Sequence, residues 1–138
     1  MEANISEPPP RRKVLIVEQE LPIRNVLFTL LASLGCDRNS VPSGREALAR
    51  LSREPFDAVL LDLRCSELPP DEVVSGIHRI RPSLIGHVLV ITGEVADAET
   101  LAVVERHLLL HVPQDRLWQD LRGYLRALFR LAPTTHLA

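Results

Sequence analysis

Three stretches of this chain, KVLIV, AVLLD and HVLVIT, are almost wholly Val, Leu and Ile, and longer amphipathic stretches separate them. Runs that are apolar at nearly every position, rather than every second one, suit strands covered on both faces, as in a parallel sheet flanked by helices. Strands are expected at Lys13 to Val17, Asp37 to Val41, Ala58 to Asp62, His87 to Thr92 and Leu108 to Val112. The second of these, DRNSV, is too polar for the middle of a sheet and is expected at an edge. Between them the apolar spacing predicts helices over about Leu21 to Leu34, from Ser43 onward, Asp71 to Ile80, Asp97 to Arg106 and Asp115 to Leu131. Ser43 and Glu46 have capping-box spacing, and Gly35 can take the left-handed stop after the first helix. The expected fold is α/β: a single doubly wound five-stranded parallel sheet with five helices, flavodoxin-like (βα)5.

The 138 residues suffice for one domain with its own core. Eighteen acidic residues against sixteen basic ones leave no broad positive field, which disfavours direct nucleic acid binding. Cys36 and Cys65 are too few for a disulfide scaffold and lack metal spacing, and no apolar run is long enough to span a membrane, so a cytoplasmic location is expected. Residues 1–12, with Pro8, Pro9 and Pro10, read as a disordered or linker segment, 13–131 as the domain and 132–138 as a tail.

In an open parallel sheet, ligands bind at the carboxyl ends of the strands, near the point where strand order reverses. Strand one ends in Glu18, Gln19 and Glu20, strand three in Asp62, and strand four in Thr92 and Gly93. Two carboxylates and a hydroxyl converging there could hold a magnesium ion, or could simply cap strand ends where the chain meets water.

The ordered blocks KVLIVEQE, SGREALARL, PFDAVLLDLRCSELPPDEV, HVLVITGE and LLLHVP resemble the receiver domain of two-component response regulators over about Lys13 to Leu131. The resemblance implies a non-enzymatic signalling domain that takes a phosphoryl group from a histidine kinase or phosphotransfer protein onto Asp62. It also implies metal ligation by Glu18, Asp62 and the Arg64 backbone carbonyl, and phosphoryl sensing by the Thr92 hydroxyl. Output would pass to a downstream protein or a second copy through helix four, strand five and helix five.

The chain departs from that pattern in several places. Gln19 stands where the family has a second acid, so it is a doubtful ligand and Mg2+ should bind weakly. Val112-Pro113 stands where the family has lysine-proline, and no lysine occurs after Lys13. The switch aromatic aligns with Leu109, and the usual glycine after the acceptor aligns near Pro70. Glu20 could turn inward to compensate only with a different backbone turn. Arg64 could fold over the site, but a solvent-facing loop arginine is the plainer expectation. His78, His87, His107, His111 and His136 show no spacing that suggests a zinc site or dyad, and Cys65 reads as ordinary. Arg122, Arg126 and Arg130 read as a solvated stripe, whereas Trp118 suits either a widened core face or an output surface.

Two functions compete: a phosphoacceptor with weakened metal and switch machinery, and a phosphorylation-independent pseudo-receiver that works as an adaptor. A flavin-binding reading is disfavoured because EQELPIR lacks the small residues that cradle phosphate.

Overall fold

The computed structural model describes residues 11–65, 67–93 and 97–131. The tail over 132–138, His136 and most of the 1–12 segment lie outside the described residues. Arg11 and Arg12 lie against the domain: the Asp37 amide donates to the Arg12 carbonyl at 2.8 Å, and the Arg12 guanidinium stacks 5.0 Å from the Phe129 ring centroid.

The elements follow in strict alternation: β1 (Lys13–Val17), α1 (Leu21–Ser33), β2 (Asp37–Val41), α2 (Gly44–Arg53), β3 (Ala58–Leu61), α3 (Pro70–Ile80), β4 (Val88–Thr92), α4 (Ala98–Arg106), β5 (Leu110–Pro113) and α5 (Leu117–Leu131). Short 3-10 turns fill Leu63–Cys65, Pro82–His87 and Gln114–Arg116. All pairings are parallel and the sheet order is β2-β1-β3-β4-β5, which puts the polar DRNSV strand at an edge, as its composition requires.

Alternate residues of the central strands feed two separate cores because side chains in a strand point to opposite faces in turn. Leu15, Val17, Val59, Leu61, Val88 and Val90 join Ala47 and Leu51 of α2, Val73 and Ile77 of α3, and Val103 of α4. Val14, Ile16, Ala58, Leu60, Leu89, Ile91 and Val112 join Leu27 and Leu31 of α1 and Leu117, Leu121, Leu125 and Leu128 of α5. Trp118, 61% exposed, is not part of that core.

Helix ends follow local chemistry. Ser43 Oγ accepts from the Glu46 amide at 3.2 Å, and Asp97 carries the same duty for α4 by accepting from the Thr100 amide at 2.7 Å. Gly35 takes φ 74°, the left-handed stop after α1. The fifth strand begins later than its apolar run suggests: Leu108, φ 55° and 90% exposed, belongs to the turn after α4, and β5 starts at Leu110.

Candidate functional site

Strand order reverses between β1 and β3, so the crevice predicted for an open sheet falls at their carboxyl ends. Val17 pairs with Leu61, which sets Glu18 and Asp62 on adjacent strand ends, and the Asp62 amide continues the ladder by donating to the Val17 carbonyl at 3.0 Å. Both acids are buried, Glu18 at 0% and Asp62 at 2% exposure. A buried carboxylate needs charged or hydrogen-bonding partners to stay ionised. For Glu18, Oε2 accepts from the Glu20 amide at 3.1 Å as the chain turns into α1.

For Asp62 the partner is Arg64, two residues on. The Leu63–Cys65 turn brings the Arg64 side chain back over the strand end, where Nε donates to Asp62 Oδ1 at 2.9 Å and Nη2 to Oδ2 at 2.8 Å. The Arg64 amide adds a further donor to Oδ1 at 2.9 Å. This overturns the solvent-facing arginine that the sequence favours. The guanidinium is held charged chiefly by its hydrogen bonds to Asp62, with the carboxylates of Glu18 and Glu20 adding to the field. Nη2 also donates to Gln114 Oε1 at 2.9 Å, which ties the acceptor loop to the turn leading into α5.

Thr92 is buried at the end of β4, one residue beyond Ile91, the position level with Asp62 in the β3–β4 register. Its Oγ1 donates to the Val112 carbonyl at 3.5 Å, the outer limit of a hydrogen bond. Val112 is fully buried in the α1–α5 core. The chain's single lysine is at the other end of the sheet, where Lys13 Nζ lies 2.6 Å from Glu54 Oε2. Gln19 and Glu20 are both exposed. Among the described residues, no group of three His, Cys, Asp or Glu side chains is placed to hold a metal ion. Among the described residues the buried acids at this crevice are Glu18 and Asp62, and a magnesium ion would have to share the second with a guanidinium.

Sequence spacing missed one further cluster. Asp71 at the start of α3 accepts from Arg106 Nη1 at 2.6 Å and lies 2.9 Å from His107 Nε2 at the end of α4. The His107 ring, ahead of Arg106, holds the Asp71 carboxyl below the usual carboxylate range. The two residues are 36 positions apart, so no local spacing signals the pair. The cluster braces α3 against α4. The side chains of Cys65 and Arg130 lie outside the described residues.

No family model matches the chain. Curated relatives include the transcriptional regulatory protein GlrR of Escherichia coli (strain K12), 30% identical over 124 residues, 88% of this chain and 27% of GlrR. A response regulator receiver protein of Anaeromyxobacter sp. (strain Fw109-5) is 32% identical over 75% of this chain and 42% of its own length. The chain therefore spans between a quarter and a half of these relatives. Among solved structures, a CheY-like response regulator receiver domain protein from Methanospirillum hungatei JF-1 superposes with a TM-score of 0.71, at 17% identity, over 88% of this chain and 98% of that one. The signal receiver domain of an HD domain-containing protein from Pseudomonas fluorescens Pf-5 gives 0.71 over 93% of this chain and 96% of that one, at 18% identity. The β2-β1-β3-β4-β5 sheet, its buried acid at the end of the central strand and these relatives together make the chain a response-regulator receiver domain.

Proposed function

We propose that the domain accepts a phosphoryl group on Asp62, from a histidine kinase or a phosphotransfer protein, with a weakened metal site and an altered switch. The observation that carries this reading is the buried Asp62 carboxylate at the end of β3, level with buried Glu18 and already neutralised by a cation. A carboxylate held in a fixed orientation in a crevice can act as a nucleophile toward phosphorus. Magnesium, held by Glu18, Asp62 and the Arg64 carbonyl once Arg64 Nη2 swings off Asp62 Oδ2, would supply charge neutralisation for the transferring group. With one acid fewer than the family pattern and an arginine in competition, that binding is weak. Thr92 would turn its hydroxyl from the Val112 carbonyl to a phosphoryl oxygen. Output to a downstream protein or a second copy would use α4, β5 and α5, where Leu101, Leu108 and Trp118 are exposed. Incubation with phosphoramidate and magnesium should add one base-labile phosphoryl group to the protein and none to Asp62→Asn. Equal labelling of the two proteins would refute the assignment.

A second reading, an adaptor that never takes phosphate, is favoured by one observation: Arg64 occupies both oxygens of Asp62. It predicts that Asp62→Asn signals normally in cells. Loss of signalling in that variant, restored by Asp62→Glu, would exclude it.

A further inference from the structure

The guanidinium on Asp62 does more than offset a buried charge. Asp62 Oδ1 accepts from two Arg64 donors, the amide and Nε, whereas Oδ2 accepts from Nη2, which is itself shared with Gln114. Among the described residues Oδ2 is thus the oxygen with fewer donors, and its donor is the one shared with a second acceptor. The Arg64 side chain is 40% exposed while that of Asp62 is 2% exposed, so the guanidinium lies between the Asp62 carboxylate and solvent. The only lysine is committed to Glu54 at the opposite end of the sheet.

Resting on the acceptor reading above, we propose that Arg64 is a catalytic, phosphoryl-binding residue. Its Nη2 leaves Asp62 Oδ2 and Gln114 Oε1 for a phosphoryl oxygen, so that phosphorylation is passed to the start of α5 through Gln114. Nε stays on Oδ1 as the pivot. With phosphoramidate as donor, Oδ2 attacks phosphorus, an O–P bond forms and the P–N bond breaks. The electron pair leaves on the already protonated nitrogen as ammonia, and Asp62 becomes an acyl phosphate. The planar fork that matched one carboxylate then spans the carbonyl oxygen and a phosphoryl oxygen, a geometry that suits guanidinium better than ammonium. Gln114 loses its donor in the same step. It opens the 3-10 turn Gln114–Arg116 that leads directly into α5, four residues before Trp118. Trp118 is the only tryptophan in the chain and is 61% exposed, which makes it a built-in reporter of that turn.

The test compares the full chain with Arg64→Ala, Arg64→Lys and Asp62→Asn under phosphoramidate, with and without magnesium. Intact mass follows occupancy and decay after donor removal, and Trp118 emission follows the turn. The expected result is a base-labile adduct on the unaltered protein with a change in emission. In Arg64→Ala the adduct should form less readily or decay at least about tenfold faster, the size of one charge-assisted hydrogen bond, with no emission change at matched occupancy. Arg64→Lys, which keeps the charge but not the fork, should fall between. An Arg64→Ala adduct that is as lasting as the original and moves the emission equally would overturn the proposal. So would labelling of Arg64→Ala where the unaltered protein takes none, since the guanidinium would then be a block. Absence of label from all the Asp62-containing proteins would instead remove the acceptor reading, and this proposal with it.

Discussion

Replacing Arg64 with alanine strips two of the three Arg64 donors from a carboxylate that is 2% exposed, leaving the amide at position 64. A hydrogen bond to a charged group contributes about 1.5–3 kcal/mol, and breaking a fully buried ion pair costs about 3–5 kcal/mol. Because the Arg64 side chain is 40% exposed, water can partly replace it, which places the loss nearer ~2 kcal/mol. With a urea m-value of roughly 1.5 kcal/mol/M for a domain of this size, the midpoint should fall by about 1.3 M. Asp62→Ala removes one of two neighbouring buried carboxylates together with its desolvation cost, so it should destabilise less. In that background, Arg64→Ala should be nearly neutral, giving a coupling energy of about 2 kcal/mol in the double-mutant cycle. Urea unfolding of the four proteins measures it. A coupling below about 0.5 kcal/mol would mean that the guanidinium does not sit on Asp62, and the account of the crevice would fall.

Three further outcomes follow from the same structure. Glu54, hydrogen-bonded by Lys13 and Arg50, has its carboxyl lowered to about 2. A depressed folded-state value means that its contribution is present above the unfolded value near 4.5 and is lost as pH falls toward about 2, so Glu54→Gln should flatten the acid limb of a melting-temperature profile over that window. Ser43→Ala removes the acceptor for the Glu46 amide and should cost about 1 kcal/mol in chemical denaturation, whereas Ser43→Asp should retain most of it. Leu121→Ala, at a fully buried site on the sheet face of α5, should cost about 2–5 kcal/mol and shift Trp118 emission as the helix loosens; an unchanged melt would contradict the docking of α5.

The strand and helix alternation was legible because burial on both faces forces continuous Val, Leu and Ile, as in Val88–Thr92, while DRNSV could survive only at an edge. Positions governed by a single backbone conformation were less legible. Leu108 reads as part of an apolar strand, yet a left-handed turn turns it out to solvent. The acids at the strand ends could be located because an open sheet puts its crevice there. The direction of Arg64 could not, because two residues beyond a strand the side chain goes wherever the turn sends it, and only the Leu63–Cys65 3-10 turn brings it back over Asp62. Contacts such as Asp71–His107 depend on the packing of α3 against α4, for which neither segment alone carries a signal.

Asp62 is the residue proposed to carry the phosphoryl group. Borohydride reduces an acyl phosphate of aspartate to homoserine, so peptide mapping after phosphoramidate treatment and reduction reads the modified position directly. Homoserine at position 62, and at no other aspartate, is the predicted result. Homoserine elsewhere, or none at position 62 in a protein that carries a phosphoryl group, would contradict it.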